Sequence, residues 1–405
     1  MTDVCVVDCE TSILGSGEGA YGKASPFEGV NKMVSIGVLT DEDYEYDYYS
    51  ELSDSEMYTC NTILAQSSVW VGHNIKFDLH YIRMTIGEDA WFEWVKNGCV
   101  FDTMIAEYII SGQTNTTPSL DELTIKYRGE EFVKDSKIKE YWNQGIDTTD
   151  IPKNELLDYM KADVYNTHHI YLKQMEVLKN LDLMTVFNVQ CNYTLALQEM
   201  EWNGFTYKVE EAASVEKQLK MSVDTQYKSL CSMAEGLVST SKADIFKNIF
   251  NPGSPLQVQA LLFGGSISYS TKIPMRDDDG NVLRFSAKAK KAGQIRTKKV
   301  DDDLRLSSTT HAAHTFDLDG SSDDRTLKIV SSRSEDSNSN LHAFCAGILE
   351  YRKVYKEWST YVAKFTKLAN LCDGYIHGEF NQTVAITGRL SSSKPNMQNI
   401  TGKDT

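Results

Sequence analysis

The sequence predicts a mixed α/β sheet covered by helices, followed by a mainly α-helical region and the first strands of a further domain. Two patterns predict this organisation. Up to about residue 180, short apolar and β-branched runs alternate with segments of helical periodicity, which is typical of an α/β fold. Farther along, the apolar residues recur at helical spacing over long segments. We therefore expect one domain at 1–180, a second at 181–372 with an irregular insert at about 266–340, and the start of a third at 373–405.

In the first part we predict five strands, from short runs rich in apolar, β-branched or aromatic residues. The best-defined helix, at 119–129, has Ser119 as N-cap, Glu122 at the capping-box position and Gly129 at its end. The strands are expected at 3–9, 32–40, 44–50 and 68–73, and a fifth begins at 99. The other helices are expected at 54–66, from residue 77 onward, in a segment that ends at 112, and at 153–178.

The second part is expected to consist of long helices. They are predicted at 188–203, 208–236 and 341–371, and a turn followed by a short helix is predicted at 251–265. Two long helices on either side of the insert, which is rich in Ser and Asp, predict an antiparallel helical arm. The last segment, 373–400, begins with strand-like alternation and ends in a polar loop.

The distribution of charge supports a boundary near residues 175–190. The 405 residues include 57 Asp and Glu and 41 Lys and Arg, a net charge of −16. Residues 1–170 hold 30 of these acids and 12 of the bases, so the remainder is close to neutral. An acidic domain speaks against a nucleic-acid partner unless metal ions neutralise its carboxylates.

Composition excludes several classes of protein. No run of about 18 apolar residues is present, and the N-terminus lacks a basic region followed by an apolar core. We therefore expect neither a membrane span nor a secretory signal. None of the 8 cysteines forms a C-x-x-C pair. Reduced thiols in a cytoplasmic protein are favoured over a zinc cluster or a disulfide framework.

Four carboxylates and a tyrosine form the candidate site. Asp8 and Glu10 are two apart on a strand and therefore share a face, while Tyr159 and Asp163 are four apart on a helix. Asp78 lies just inside a helix that follows a buried strand. Brought together, these acids would repel one another unless hard cations lay between them. Oxygen ligands suit two Mg²⁺ or Mn²⁺ ions, about 3.5–4 Å apart, which favour in-line displacement at a phosphodiester.

Each feature alone has a structural explanation. Two acids on a strand are most often surface residues, although VVDCETS places Asp8 and Glu10 in an apolar context where unpaired acids are costly. Asp78 alone would interact with a helix dipole, and Tyr159 with Asp163 would form a solvated helical face. The order and context of all the segments together favour catalysis.

The segments VVDCET, GHNIKFDLHYI, FDTM and YMKADVYNT resemble the successive motifs of the DEDD-type 3′→5′ exonucleases that carry a tyrosine. The resemblance covers residues 3–175 and implies a ribonuclease H-like sheet. It implies that the four carboxylates bind metal and that Tyr159 orients the attacking water with help from Glu10. Thr11 and Asn74 would hold the terminal nucleotide. Asp102, in FDTM, is structural as easily as catalytic.

Four later segments resemble family A DNA polymerases: LQEMEWNGF, NPGSPLQVQALLF, ILEYRKVYKEWSTY and DGYIHGEFNQTVAITGRLSSSKPNMQNI. In that family the last segment joins thumb to palm and touches the primer–template. Polar groups of this kind suit phosphate and minor-groove contacts, although a surface loop is the alternative. The candidate DNA-contact residues are Arg389, Ser391, Ser392, Asn396, Gln398 and Asn399.

The resemblance stops before the polymerase carboxylates, which are expected shortly after this segment. We therefore expect no autonomous polymerisation, and a second polymerase chain that supplies palm and fingers, or else a truncated product. The expected partners are single-stranded DNA 3′ ends and primer–template DNA. A non-catalytic DNA-clamping subunit and an independent 3′ exonuclease are the alternatives.

The insert contains a basic segment at 284–299 that has seven bases and no acid. It is interpreted either as an arm that contacts DNA phosphates or as a solvated loop. His73 in the second motif is either a substrate contact or structural, and His168 and His169 adjoin the catalytic helix without ligand spacing.

Overall fold

The computed structural model describes residues 4–17, 21–41, 43–53, 58–134, 137–238, 240–277, 280–284, 294–307 and 320–400. Much of the basic segment, residues 285–293, lies outside this part of the chain. The molecule divides into two compact units. The first comprises Met1–Val209 with Lys364–Thr405, and the second comprises Glu210–Ala363. These units are delimited differently from the three segments expected from the sequence.

A five-stranded mixed sheet forms the centre of the first unit, and the predicted fold class is confirmed. Its order is β3-β2-β1-β4-β5. β1 pairs antiparallel with β2 and parallel with β4, so it lies inside the sheet with partners on both sides. The strands are β1 Val4–Thr11, β2 Met33–Leu39, β3 Tyr44–Asp47, β4 Val69–Gly72 and β5 Cys99–Asp102.

Helices cover this sheet. The helix α7, which carries Tyr159 and Asp163, packs on β1, β2 and β4. Apolar side chains fill the interior, among them Trp70 and Trp94, whose stacked rings lie 3.5 Å apart between centroids. The helices are α1 Thr59–Gln66, α2 Lys76–Ile86, α3 Glu88–Val95, α4 Thr103–Ile110, α5 Leu120–Tyr127, α6 Lys137–Asn143, α7 Lys153–Asn180 and α8 Met184–Asn203.

The capping box predicted from the sequence is present at the start of α5. The Ser119 side chain accepts from the Glu122 N–H, and the Glu122 carboxylate accepts from the Ser119 N–H. Helix α3 was not predicted, because EDAWFEWV is short and apolar on several sides. Three short 3₁₀ turns complete the connections, at Pro26–Glu28, Glu130–Phe132 and Thr148–Asp150.

The C-terminal residues of the first unit pack with its N-terminal residues. Residues 375–376 pair with Phe205–Thr206, and two further short strands pair with each other. The elements are β6 Phe205–Thr206, β9 Tyr375–Ile376, β10 Glu379–Asn381 and β11 Ser391–Ser393, with the helix α14 at Ala363–Leu371.

The second unit is largely helical, as predicted, but the described part of its insert contains regular elements rather than only irregular chain. Two ten-residue strands form an antiparallel hairpin, and a helix follows. The apolar residues Ile267, Leu304 and Leu306 are buried in the core of this unit. Their alternation with polar residues is a strand signal, obscured by the many Ser and Asp between them. The elements are α9 Val209–Gly236, α10 Thr240–Ile249, α11 Pro255–Phe263, β7 Gly265–Pro274, β8 Thr297–Leu306, α12 Asp324–Ser334 and α13 Ser339–Lys356.

The predicted helix at 341–371 changes form in its middle. A π-helical turn at Glu357–Val362 follows α13 and precedes α14. None of the helices in the described part of the chain combines the length and the apolar character that a membrane span requires. The eight cysteines are free thiols.

Candidate active site

Three of the predicted carboxylates meet beside the central strand. Asp8 and Glu10 on β1 and Asp163 on α7 each offer an oxygen within 4.8 Å of the others. The alternation of β1 directs Asp8 and Glu10 to one face, and α7 brings Asp163 over that face. Glu10 and Asp163 are only 6% and 5% exposed. Packing of one helix on one strand therefore forms the cluster.

Asp78, the fourth predicted carboxylate, approaches the same strand from the first turn of α2. Its Oδ1 accepts a hydrogen bond of 3.2 Å from the Cys9 N–H, between Asp8 and Glu10. The side chain is buried, and after burial the charge of Asp8 is the strongest cause that raises the pKa of Asp78. Asp78 thus belongs to the electrostatic environment of the cluster.

Burial makes this cluster hard to ionise. Burial, and then the neighbouring Asp163, raise the pKa of Asp8 to about 7. The pKa of Glu10 is also raised well above its usual value, by burial and then by the charges of Asp8 and Asp163. Full ionisation therefore requires positive charge within the site.

The donor set fits a hard divalent cation. Every ligand offered is a carboxylate oxygen, as Mg²⁺ and Mn²⁺ prefer. In addition, Asp163 Oδ1 is buried and has no hydrogen-bond partner. A buried acceptor without a partner is costly, and a cation would satisfy it.

Binding of Mg²⁺ is expected to strengthen as pH rises from about 6 to about 8, because the cation must displace protons from groups such as Asp8, whose pKa is about 7. Calorimetry in buffers of different ionisation enthalpy measures both the affinity and the released protons. An Mg²⁺ affinity that is independent of pH would contradict the assignment of the site.

The raised pKa of Asp8 also affects the stability of the fold. Because the folded pKa of Asp8 exceeds the usual 3.8, this group favours the folded state less as pH rises from about 4 to 7 in a chelating buffer.

Tyr159 lies one helical turn before Asp163. Its ring packs edge-on against Trp142, with centroids 5.9 Å apart. Burial, and then the charges of Asp163, Glu10 and Asp8, raise its pKa. The hydroxyl therefore stays protonated near neutral pH and can donate a hydrogen bond.

Lys134 also enters the site, although no sequence pattern predicted it. Its ammonium group forms an ion pair with Asp163 Oδ2 and lies 3.7 Å from the centroid of the Tyr159 ring. It follows a 3₁₀ turn in an irregular stretch, where no periodicity indicates which way a side chain points.

Asp102 has a structural role, which is one of the two interpretations that the sequence left open. Its carboxylate caps α4 by accepting from the Met104 N–H at 2.9 Å. It also accepts from the N–H groups of Asn74 and Ile75 at 3.0 and 3.1 Å. Asn74 has a φ of 56°, so Asp102 holds the left-handed turn that starts α2.

The other motif residues lie around this turn. Asn74 lines a cleft of about 220 Å³. Thr11 is buried at the end of β1, where the register with β2 shifts between Glu10 and Thr11. His73 Nδ1 lies 2.9 Å from Thr103 Oγ1, and burial lowers the pKa of this histidine to about 4, which favours its structural interpretation.

The candidate DNA-contact residues lie in and around β11, and Ser392 differs from the others. Ser392 is buried; its hydroxyl donates to the Pro395 carbonyl oxygen and accepts from the Met397 N–H. We therefore revise its expected role to holding the loop. The remaining five residues keep their role as a proposal. Arg389, Asn396, Gln398 and Asn399 are exposed, and Ser391 is half-buried.

Comparison with known proteins gives two family matches. Residues 7–179 match the family described as 3'-5' exonuclease, and residues 284–405 match DNA polymerase family A. DNA polymerase I of Borreliella burgdorferi is 24% identical over 351 residues, which cover 85% of this chain and 30% of that protein. DNA polymerase I of Synechocystis is 28% identical over 310 residues, 75% of this chain and 24% of that protein.

A shorter stretch is more similar, and one solved structure shares the fold. DNA polymerase I of Chloroflexus aurantiacus is 48% identical over 62 residues, 15% of this chain and 7% of that protein. The polymerase domain of Pol1 from M. smegmatis, in complex with DNA primer-template and dNTP, matches with a TM-score of 0.56 and 18% identity. The match covers 98% of this chain and 52% of that one. The chain thus spans less than a third of the curated relatives described above.

Proposed function

Since the chain joins a 3′–5′ exonuclease domain to part of a family A DNA polymerase domain, we propose that it hydrolyses the terminal phosphodiester at the 3′ end of DNA, as a proofreading activity. The observation that carries this proposal is the convergence of Asp8, Glu10 and Asp163 within 4.8 Å. A buried cluster of this kind is costly for folding alone, which favours a role in catalysis.

The four carboxylates Asp8, Glu10, Asp78 and Asp163 would hold two Mg²⁺ or Mn²⁺ ions. Such ions supply activation of water and neutralisation of charge at the phosphate. The protonated Tyr159 hydroxyl donates a hydrogen bond that orients the attacking water, and Glu10 accepts one. Thr11 and Asn74 hold the terminal nucleotide, with Asn74 fixed by the hydrogen bonds that Asp102 accepts.

DNA is the proposed substrate because the polymerase-like strands β10 and β11 belong to the same compact unit as the carboxylates. The remaining polar residues of that segment would contact the primer–template backbone. We also propose a second polypeptide that supplies the palm and fingers. A cytoplasmic location is part of the proposal too, and the free thiols are consistent with it. We assign no polymerisation to these 405 residues.

The test is cleavage of a 5′-labelled single-stranded DNA by the purified chain in Mg²⁺. We expect a ladder of labelled products that shorten one nucleotide at a time from the 3′ end, and none in a chelating buffer. Immediate release of the 5′ label as a mononucleotide, or the absence of cleavage under every metal condition, would refute the proposal.

Substitution Tyr159→Phe is expected to slow cleavage about a hundredfold, the usual effect of removing one hydrogen-bond donor from a transition state. The phenyl ring keeps the packing against Trp142, so folding should be unaffected. Single-turnover rates at saturating DNA measure the effect. Tyr165→Phe, which removes a hydroxyl six residues along the same helix from a partly exposed ring, is the matched control and should cleave normally.

A further inference from the structure

The position of Lys134 is unusual for a lysine. Its side chain is 8% exposed, and that of its partner Asp163 is 7% exposed. Lysine is almost never so buried without a partner, because desolvation of an ammonium ion is costly. The sequence therefore keeps a positive charge inside the site at an energetic cost.

The charge of Lys134 acts on the whole cluster. It lowers the pKa of Asp163 both through charge and through a hydrogen bond, against the effect of burial. It also lowers the pKa values of Asp8 and Glu10 on β1, again against the effect of burial. Lys134 thus offsets part of the mutual repulsion of all three carboxylates.

The ammonium group also shares its ligand with the expected cation. It pairs with Oδ2 of Asp163, whose Oδ1 is the buried oxygen without a hydrogen-bond partner. A divalent cation on this carboxylate would lie a few ångströms from the ammonium group, and two like charges at that distance repel strongly where little water screens them.

We propose that Lys134 is a built-in counter-cation of the exonuclease site, which orders Asp163 and Tyr159 and leaves Asp163 when a divalent cation binds there. This inference rests on the proposed function, because it takes the same carboxylates as the metal site. Lys134 is a positioning residue in this proposal. It stabilises the site before metal binds and thereby limits the affinity for metal.

The first experiment measures binding of MgCl₂ to the full chain by calorimetry, without DNA. Lys134→Met should bind Mg²⁺ about tenfold more tightly than the unaltered chain. A neighbouring charge shifts an ionic equilibrium by about one pKa unit or more, which is a factor of ten. Lys134→Arg keeps the charge and should restore the original affinity. Lys137, three residues after Lys134, is 52% exposed and pairs with Glu155. Lys137→Met is therefore the control and should leave the Mg²⁺ affinity unchanged.

Thermal unfolding gives a second readout. In a chelating buffer Lys134→Met should unfold at a lower temperature than the unaltered chain, since the carboxylates lose their counter-charge. Saturating MgCl₂ should remove most of that difference. Equal unfolding temperatures in chelator would contradict the proposed stabilising role.

A third measurement uses the unaltered chain and so does not depend on folding of a variant. Acetylation of Lys134 by acetic anhydride, followed by mass spectrometry, reports whether its ammonium group is engaged. Labelling should increase severalfold when MgCl₂ is added, relative to Lys137. Unchanged labelling, or Mg²⁺ affinity in Lys134→Met that is equal or weaker, overturns the inference. If instead the unaltered chain binds no Mg²⁺ or leaves DNA intact, the proposed function itself fails.

Discussion

Substitution Asp8→Ala is expected to abolish 3′-end cleavage, with a loss of at least about a thousandfold. The charge of Asp8 raises the pKa of both Glu10 and Asp78, so Asp8 lies close to both carboxylates. Its removal therefore weakens the binding of any cation held among the three. Metal ions typically supply several kcal/mol of transition-state stabilisation, and about 4 kcal/mol corresponds to a thousandfold. The measurement is single-turnover cleavage of 5′-labelled single-stranded DNA at saturating Mg²⁺.

Binding of duplex DNA should be spared in this variant, because the polar residues proposed for that contact lie in the loop around β11. Fluorescence anisotropy with a labelled primer–template tests this separation. Asp89→Ala removes an exposed acid from helix α3 and serves as the matched control for the loss of one negative charge. Normal cleavage by Asp8→Ala would show that the site is wrongly assigned.

The carboxylates could be predicted from the sequence because their geometry is local. Strand alternation places Asp8 and Glu10 on one face, and helical spacing places Tyr159 and Asp163 on another. The structure adds the packing of α7 on β1 and the approach of Asp78 from α2 to the same strand. The capping box of α5 was predictable for the same reason, since both its hydrogen bonds join residues three apart.

Lys134 could not be predicted, because its partner Asp163 is 29 positions away and no periodic element carries it. The hairpin of β7 and β8 was missed for a different reason. The alternation of Ile267 and Tyr269 on β7 was present in the sequence, but the flanking Ser-, Asp- and Lys-rich residues masked it. Local patterns therefore predicted the candidate carboxylates, whereas the position of Lys134 depends on long-range packing.

The largest expected effect on stability is at Glu201, another buried charge whose role no sequence pattern indicated. Glu201 lies near the end of α8, and its side chain is 4% exposed. Its carboxylate accepts hydrogen bonds from Lys76 Nζ, from His80 Nε2 at 2.9 Å and from the Phe380 N–H at 2.6 Å. Burial would raise the pKa of Glu201, but the His80 hydrogen bond and the Lys76 charge together hold it below the usual value.

This network fastens the polymerase-like strand to the helix that carries Asp78. Lys76, on the first turn of α2, also donates to the Phe380 carbonyl oxygen on β10. Substitution Glu201→Ala should destabilise the first unit by about 3–5 kcal/mol, because it leaves the Lys76 ammonium ion, whose side chain is only 12% exposed, without its counter-charge. The Phe380 N–H would lose its acceptor as well.

Urea unfolding followed by tryptophan fluorescence measures this effect in the right place. Five of the six tryptophans belong to the first unit, and only Trp358 lies in the second. Glu199→Ala is the matched control on the same helix, since Glu199 is 38% exposed and Arg83 keeps its second partner, Glu88. We expect the control to cost no more than about 1 kcal/mol. Equal midpoints for the two variants would mean that the buried charge of Glu201 does not hold these elements together.

The pH dependence distinguishes this charge from the metal-site carboxylates. Because the folded pKa of Glu201 is lowered, its contribution to stability is present at neutral pH and is lost as pH falls through that lowered value. The raised pKa of Asp8 has the opposite effect on stability, because it weakens the folded state as pH rises toward about 7. The stability difference between the unaltered chain and Glu201→Ala should therefore shrink only in acid, whereas the corresponding difference for Asp8→Ala should change between about pH 4 and 7. A buried acid that stabilises the fold and one that is retained for catalysis can thus be separated by titration of the same protein.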